Sequence, residues 1–313
     1  MREVKLGFSG PMVSEVCFGS LAISPLQGRV TAAEGTEILR YALEQGISWI
    51  DTAEIYDNYD QIARALAGKP EIMVATKSYA VTRSEMRISL EKARKGLNRE
   101  VLDFFLLHEQ ESVLTLHGHQ EAWDELLEAK ARGLVRYVGI STHAVAGVRA
   151  GALQPGLDVI HPILNYQGIG IIDGTLEDML EAISFAADLG IGIYAMKVLG
   201  GGHLARDPAR AFTFIRRVKG VQAMALGMSS RNEVDYNLRL LAGEEIAPAL
   251  QVAVQARERR LYIADWCQGC GRCVEVCPQG ALYLEEQAKV KAEACVLCGY
   301  CGRVCPHFCL KIV

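Results

Sequence analysis

The sequence predicts an α/β protein: a (β/α)8 TIM barrel followed by a small, cysteine-rich C-terminal α+β domain. Three observations carry this. Eight short apolar runs alternate with amphipathic helical stretches from residue 13 to about 243. A closed parallel barrel typically needs about 250 residues, which matches that span. Nine of the ten cysteines then follow residue 266, where the composition turns abruptly to Cys and Gly.

The strand candidates, in order, are "VSEVCFG", "SWID", "IMVATK", "DFFLLH", "RYVGIS", "VIHPILN", "GIYAMK" and "AMALGM". Between them lie helix patterns such as "AAEGTEILRYALEQ", "EMRISLEKARKGL" and "LEDMLEAISFAADLG". Thr31 with Glu34 reads as a capping box, Gly46 and Gly190 as helix stops, and Asp207-Pro208 as an N-cap followed by Pro at the first helical position. An open doubly wound sheet competes with the barrel, but "CFGSLAIS" lacks the Gly-rich fingerprint expected after its first strand. The predicted organisation is a barrel over residues 1–243, a linker helix over 244–260 and the cysteine domain over 261–313.

Charge and hydropathy exclude several classes of function. The chain is 50% hydrophobic and 22% charged with a formal net charge of −4, and its Lys and Arg are scattered, which is no footprint for nucleic acid. "MREVKLGFSG" has no apolar h-region, and no run of about 18 uncharged apolar residues appears, so neither a signal peptide nor a membrane span is expected. With metal-type cysteine spacing, a reducing cytoplasm is the expected compartment.

The tail repeats itself. Cys267, Cys270, Cys273 and Cys277 map onto Cys295, Cys298, Cys301 and Cys305 with a constant offset of 28, and Pro278 and Pro306 follow the fourth cysteines. C-x2-C-x2-C-x3-C-P is the spacing of a [4Fe–4S] ligand run, and paired zinc sites fit three cysteines plus Cys-Pro poorly. The tail resembles a bacterial-type two-cluster ferredoxin. That resemblance implies one cluster on Cys267, Cys270, Cys273 and Cys305 and a second on Cys295, Cys298, Cys301 and Cys277. Cys309 stands where the first half has Ala281, and like Cys17 it reads as a small packed residue. Gly269, Gly271, Gly299 and Gly302 allow backbone N–H groups to approach the sulfurs.

Barrel chemistry gathers at the C-terminal ends of the strands, where this sequence has Gly19-Ser20, Asp51, Lys77, His108, Ser141, Asn165, Met196-Lys197 and Gly227. The segments "ISWIDTAEIYDN", "IMVATKS" and "LDFFLLHE" resemble the catalytic segments of the aldo-keto reductases, and "KLGFSGPMVSEVCFGS" that family's N-terminal hairpin and first strand. The resemblance implies Tyr56, Asp51, Lys77 and His108 as a catalytic tetrad. Tyr56 exchanges a proton with a carbonyl oxygen, Lys77 lowers the phenol's pKa, Asp51 holds Lys77, and His108 orients the substrate.

The same resemblance implies NADP(H), or NAD(H), as cofactor. Gly19, Ser141, Asn165, Met196 and Lys197 lie toward the nicotinamide, and Gly200, Gly201 and the neighbouring Gly202 toward the phosphates. Ser229, Ser230, Arg231 and Asn237 lie toward the adenosine end, where a helix N-terminus favours an anion. Two departures stand out. Met196 and Lys197 replace the aromatic residue that stacks on nicotinamide in many relatives, and Glu233 stands where many carry an Arg for the 2′-phosphate.

The expected function is an iron–sulfur oxidoreductase that reduces a small carbonyl compound or oxidises an alcohol, using NAD(P)H, electrons passed through two [4Fe–4S] clusters, or both. A flavin converter and a redox partner protein stay open. The alternatives are a Schiff-base lyase on Lys77 or Lys197 and a non-catalytic electron-transfer or redox-sensing protein. His117 and His119, in the predicted loop "EQESVLTLHGHQ", read as ordinary polar residues.

Overall fold

A computed structural model describes residues 1–27, 30–256 and 259–313. An antiparallel hairpin, β1 (Glu3–Lys5) and β2 (Met12–Ser14), opens the chain. Eight parallel strands follow: β3 (Val16–Gly19), β4 (Trp49–Asp51), β5 (Met73–Ser78), β6 (Leu102–Leu107), β7 (Val135–Thr142), β8 (Val159–Pro162), β9 (Gly192–Ala195) and β10 (Ala223–Leu226). They close in sequence order, with β10 pairing β3 to seal the barrel. Every predicted strand run overlaps one of these strands.

Local chemistry sets the boundaries of the surrounding helices. Thr31 and Glu34 form the reciprocal capping box that starts the helix Ala32–Glu44. Asp207 caps Pro208–Arg217 by accepting from the Arg210 N–H, with Pro208 in the first turn. Two corrections concern the connections. The stretch predicted as a loop at 109–120 is helical from Val113 to Gly118, because Ser112 and Thr115 cap each other's backbone. The linker's helix is confined to Pro248–Gln255, since Gly243 turns left-handed (φ 72°) and Pro248 restarts the chain. Residues 257–258 of the predicted linker lie outside the described residues.

Burial falls into three bodies. Leu6, Val13, Cys17, Trp49, Phe104 and Tyr194 fill the barrel interior, so it is a packed core and not a pore. A larger core lies between strands and helices. The tail has only a small one, of Leu261, Leu282, Ala288, Leu310 and Ile312 around the cysteines. Its strands are β11 (Leu261–Ile263), β12 (Leu282–Leu284), β13 (Ala288–Val290) and β14 (Leu310–Ile312), paired antiparallel as β11–β14 and β12–β13.

One tail residue belongs to the barrel's core. Phe308 is 2% exposed and packs in the large cluster with Ile163 and Ile169. The tail thereby sits on the end of the barrel where the strands finish.

Candidate active site and cluster cavities

Asp51 ends β4 and Lys77 lies near the end of β5, which brings the two side chains together inside the barrel mouth. Lys77 Nζ donates to Asp51 Oδ1 and to the Thr52 carbonyl, both at 2.7 Å. Asp51 Oδ2 accepts from the Tyr194 hydroxyl at 3.1 Å and lies 3.6 Å from His161 Nε2. Burial pushes the Asp51 carboxyl up, but the Lys77 and His161 charges outweigh it and hold the group well below the usual carboxylate range. Both acceptors engage Lys77 Nζ inside the barrel.

Tyr56 sits on the 3-10 turn Glu54–Tyr56, with the Lys77 ammonium 5.5 Å from its ring centroid. Here the structure departs from expectation. Burial, then the charges of Asp51 and Glu109, push the phenol well above its ordinary pKa. Tyr56 is a firmly protonated donor. His108, just past β6, stacks on Tyr79 (4.4 Å between centroids, 23°) and meets Tyr56 edge-on at 6.2 Å. Burial and the Lys77 charge keep its imidazole neutral, and its buried Nδ1 has no partner among the described residues. A protonated phenol and an unpartnered imidazole nitrogen facing one mouth suit a carbonyl oxygen.

The residues assigned to nicotinamide binding are placed otherwise. Asn165 spends its side chain on its own loop, bonding Ile169 O, Ile169 N and Gln167 N. Ser141 Oγ accepts from Glu109 N at 2.9 Å, and Gly19 packs against Gly227 with room for no more than a tight Cβ. Met196 N–H bonds the Pro162 carbonyl, and Lys197, left-handed at φ 55°, reaches His143 Nε2 at 2.7 Å.

Gly200, Gly201 and Gly202 all have positive φ, and the tail occupies the space beside them. A Cβ on Gly201 would lie 2.7 Å from the Phe308 ring, and one on Gly202 only 1.9 Å from the Ile312 carbonyl. The glycines admit the chain's own β14.

Ser229 donates from its N–H (2.7 Å) and its hydroxyl (3.1 Å) to Glu233 Oε2, while Ser230 caps the helix Arg231–Ala242. The anion at this helix start is therefore the chain's own carboxylate. Arg231 points to Glu37 at 3.7 Å and over the Tyr41 ring, and Asn237 is buried on the helix's inner face. These residues do not fit a bound dinucleotide phosphate in this arrangement.

The cysteines do gather. One cavity of about 370 Å³ is lined by Cys277, Cys295, Cys298 and Cys301. Another of about 290 Å³ is lined by Cys267, Cys270, Cys273 and Cys305, with Cys309 on its wall. The two halves match in detail. Gly271 and Gly299, left-handed, start the short helices Arg272–Glu275 and Tyr300–Arg303. Ala281 N donates to Cys277 Sγ at 3.3 Å, and Cys309 N to Cys305 Sγ at 3.2 Å. Sulfurs that accept backbone N–H bonds around cavities of this size fit [4Fe–4S] cubanes.

Sequence reasoning missed the residues that join the two domains. His203 Nε2 bonds the Leu310 carbonyl at 2.9 Å and its ring lies against Gly299 and Gly302, while Arg206 reaches Val296 O at 3.4 Å. Phe308, Lys311, His143, His161, Tyr194 and Glu109 were also unremarked. Only the polar His161 inside an apolar strand run signalled itself in the sequence.

An eight-stranded barrel with a buried Asp–Lys pair beneath a Tyr and a His defines a carbonyl-type oxidoreductase scaffold, and comparison with known proteins makes the class specific. The profile described as "Aldo/keto reductase family" matches residues 15–254, and that described as "4Fe-4S dicluster domain" matches 266–309. The chain belongs to the aldo/keto reductase family and carries a C-terminal 4Fe-4S dicluster domain. It is 30% identical over 220 residues to "Probable aldo-keto reductase 1" of Glycine max, covering 64% of this chain and 60% of that one. It is 24% identical over 171 residues to "Methylglyoxal reductase DkgA" of Escherichia coli K12, covering 51% and 62%. The chain thus spans about three fifths of the length of these curated relatives. The barrel superposes on the holo form of an aldo-keto reductase from Bacillus halodurans with a TM-score of 0.65 at 19% identity, covering 82% of this chain and 96% of that one, a likeness of fold. Among the described residues no helix is long and apolar enough to cross a membrane.

Proposed function

We propose that the barrel mouth interconverts a small carbonyl compound and its alcohol, with electrons entering through the tail and not from a bound nicotinamide. The observation that carries this is the docking of Phe308 and β14 onto Gly200–Gly202, together with the Glu233 carboxylate on Ser229. Both stand at residues where the sequence led us to expect a dinucleotide phosphate.

The chain's own residues perform definite tasks. Cys267, Cys270, Cys273 and Cys305 would hold one cluster and Cys295, Cys298, Cys301 and Cys277 the other. Bound clusters supply electrons one at a time, and a pair supplies the two that a carbonyl needs. Tyr56 would donate its proton to the carbonyl oxygen, and a proton from solvent water at carbon, together with the two electrons, would complete the alcohol. His108 orients that oxygen, and Asp51 fixes the place of Lys77 Nζ, which lies 5.5 Å from the Tyr56 ring centroid. Phe308, which follows Cys305 by three residues, is buried against the barrel's core.

Methylglyoxal, the compound named for one relative, is a suitable probe. Clusters photoreduced anaerobically should be reoxidised by methylglyoxal without added nucleotide, yielding about one two-electron product per chain. Turnover with NADPH or NADH while the clusters keep their oxidised spectrum would replace this reading with an ordinary nicotinamide reductase.

A further inference from the structure

We infer that the surface over Cys298 is the electron-entry face of the chain, and that it docks a small one-electron carrier protein whose own redox centre is ringed by carboxylates. The inference rests on the reading above, in which electrons enter through the tail, and adds where they enter and from what class of partner.

The two halves of the tail are alike in their cysteines and unlike in what surrounds them. At the offset of 28, Val296 stands where the first half has Gln268, Tyr300 where it has Arg272, and Arg303 where it has Glu275. Val296 (54% exposed) and Tyr300 (49%) line the cavity of Cys277, Cys295, Cys298 and Cys301, and Cys298 is itself exposed. Two guanidinium groups border these side chains. Arg206, from the barrel, donates from Nη2 to the Val296 carbonyl at 3.4 Å, and the Arg303 guanidinium lies 5.6 Å from the Tyr300 ring centroid. Both arginines are exposed, and among the described residues neither pairs with a carboxylate. Asp207, next to Arg206, accepts from the Arg210 N–H as a helix cap.

The other cavity has different surroundings. Cys270 is exposed there too, but its loop lies against an acidic turn. A Cβ on Gly269 would stand 2.3 Å from the Glu286 carbonyl, and Gln287 Nε2 donates to the Asp265 carbonyl at 2.6 Å. The side chains of Asp265, Glu285 and Glu286 are all exposed. This cavity also holds Cys305, whose carbonyl accepts from the Phe308 N–H at 3.3 Å, and Phe308 is buried in the barrel's core. The Cys305 site is the one tied to the barrel, and the Cys298 site faces outward.

Exposed aromatic and aliphatic groups bordered by arginine are the composition of a protein-docking patch. The chain carries a formal net charge of −4, and loaded clusters add to it, so an acidic carrier is repelled by the chain at large and drawn to the unpaired guanidinium groups. Because Arg206 comes from the barrel, the patch is complete only with the two domains packed. Each encounter moves one electron: the carrier is oxidised by one, the outer cluster is reduced by one, and no bond forms or breaks. Two encounters supply the carbonyl's two electrons.

The probe is an acidic flavodoxin, titrated by calorimetry in its oxidised form into the anaerobically reconstituted chain. Affinity should fall about tenfold or more between about 20 and about 200 mM salt. Joint replacement Arg206→Gln and Arg303→Gln should weaken binding about tenfold at low salt and flatten that dependence, and Arg206→Lys with Arg303→Lys should restore both in part. Lys5→Gln, on the exposed hairpin that packs at Gly190 where the strands begin, should change neither. In stopped flow, reduced flavodoxin should bleach the clusters of the Gln variant more slowly by the same factor, whereas photoreduction by a neutral deazaflavin proceeds as in the wild type, which separates lost docking from lost clusters. Absence of binding, or binding untouched by the Gln replacements, overturns the docking face. Flavodoxin oxidised through the arginines with methylglyoxal never reduced would leave the face standing and remove the proposed function. Methylglyoxal reduced by the photoreduced protein while flavodoxin ignores both arginines would do the reverse.

Discussion

Lys197, from the barrel, and Phe308, from the cysteine domain, meet with the ammonium 4.3 Å over the ring, and both hold left-handed backbone (φ 55° and 49°). Each such non-glycine conformation costs on the order of 1 kcal/mol or more and persists only where packing dictates it. The domain junction is therefore built into the mouth of the barrel. Phe308 stands three positions from Cys305 in the sequence.

Removing the tetrad's carboxylate should test the buried pair. Asp51→Asn leaves the Lys77 ammonium buried without its partner and should lower unfolding stability by about 3–5 kcal/mol, read from urea denaturation of the reconstituted protein. The sign with pH follows from the depressed Asp51 pKa. Its contribution is fully present above the unfolded value of ~3.9 and fades as pH falls toward the folded one. The gap between wild type and variant should be flat from pH 5 to 8 and shrink in acid.

Tyr56→Phe deletes the proton donor and little else. Single-turnover reduction of methylglyoxal by photoreduced protein should slow by about 10²–10⁴-fold, with the cluster spectrum unchanged. An unaltered rate would move the proton to another group in the mouth.

The docking of the tail depends on Gly202. Gly202→Ala places a Cβ 1.9 Å from the Ile312 carbonyl at a backbone φ of 92°, so β14 must move away. Faster hydrogen exchange at 308–313 is expected, with the barrel's own exchange unchanged. The variant should also lose electron delivery to the mouth before it loses iron.

Cys305 and Cys309 line the same cavity, but only Cys305 matches the repeat. Cys305→Ala should cut iron from about eight to about four atoms per chain, whereas Cys309→Ala should leave it near eight. Equal losses would make Cys309 a ligand. Burial and neighbouring cysteines push the Cys309 thiol up to about 12, as befits a packed residue.

Glu233 makes a prediction about nucleotide. Glu233→Gln removes the negative charge now held by the Ser229 N–H and hydroxyl. Affinity for NADPH should rise by about tenfold, more than for NADH, because the 2′-phosphate then meets Arg231 without an adjacent carboxylate. Strong NADPH binding by the unaltered chain would undo the reasoning.

Much of this protein was determined by sequence alone. Alternating apolar runs and helix caps specify the barrel because secondary-structure period, capping and turn chemistry are local. The two C-x2-C-x2-C-x3-C runs mark a pair of clusters by their local spacing, and the resemblance to two-cluster ferredoxins implies which sulfurs share each cubane. Asp51, Lys77 and His108 were legible because each stands at or just past a strand end, and Tyr56 through the resemblance of "ISWIDTAEIYDN" to a catalytic segment of the aldo-keto reductases.

What the sequence did not contain is the company those groups keep. Glycine triplets read alike whether they approach a phosphate or the backbone of β14, and Ser229 donates to a carboxylate as readily as to a nucleotide. The Tyr56 phenol rises where Lys77 was expected to lower it, because burial and the charges of Asp51 and Glu109 push it up. Phe308 meets Lys197 from more than a hundred residues away. Contacts of that kind are set by how two domains pack, and pKa values by the net of burial and every charge in reach, so only the tertiary structure decides them.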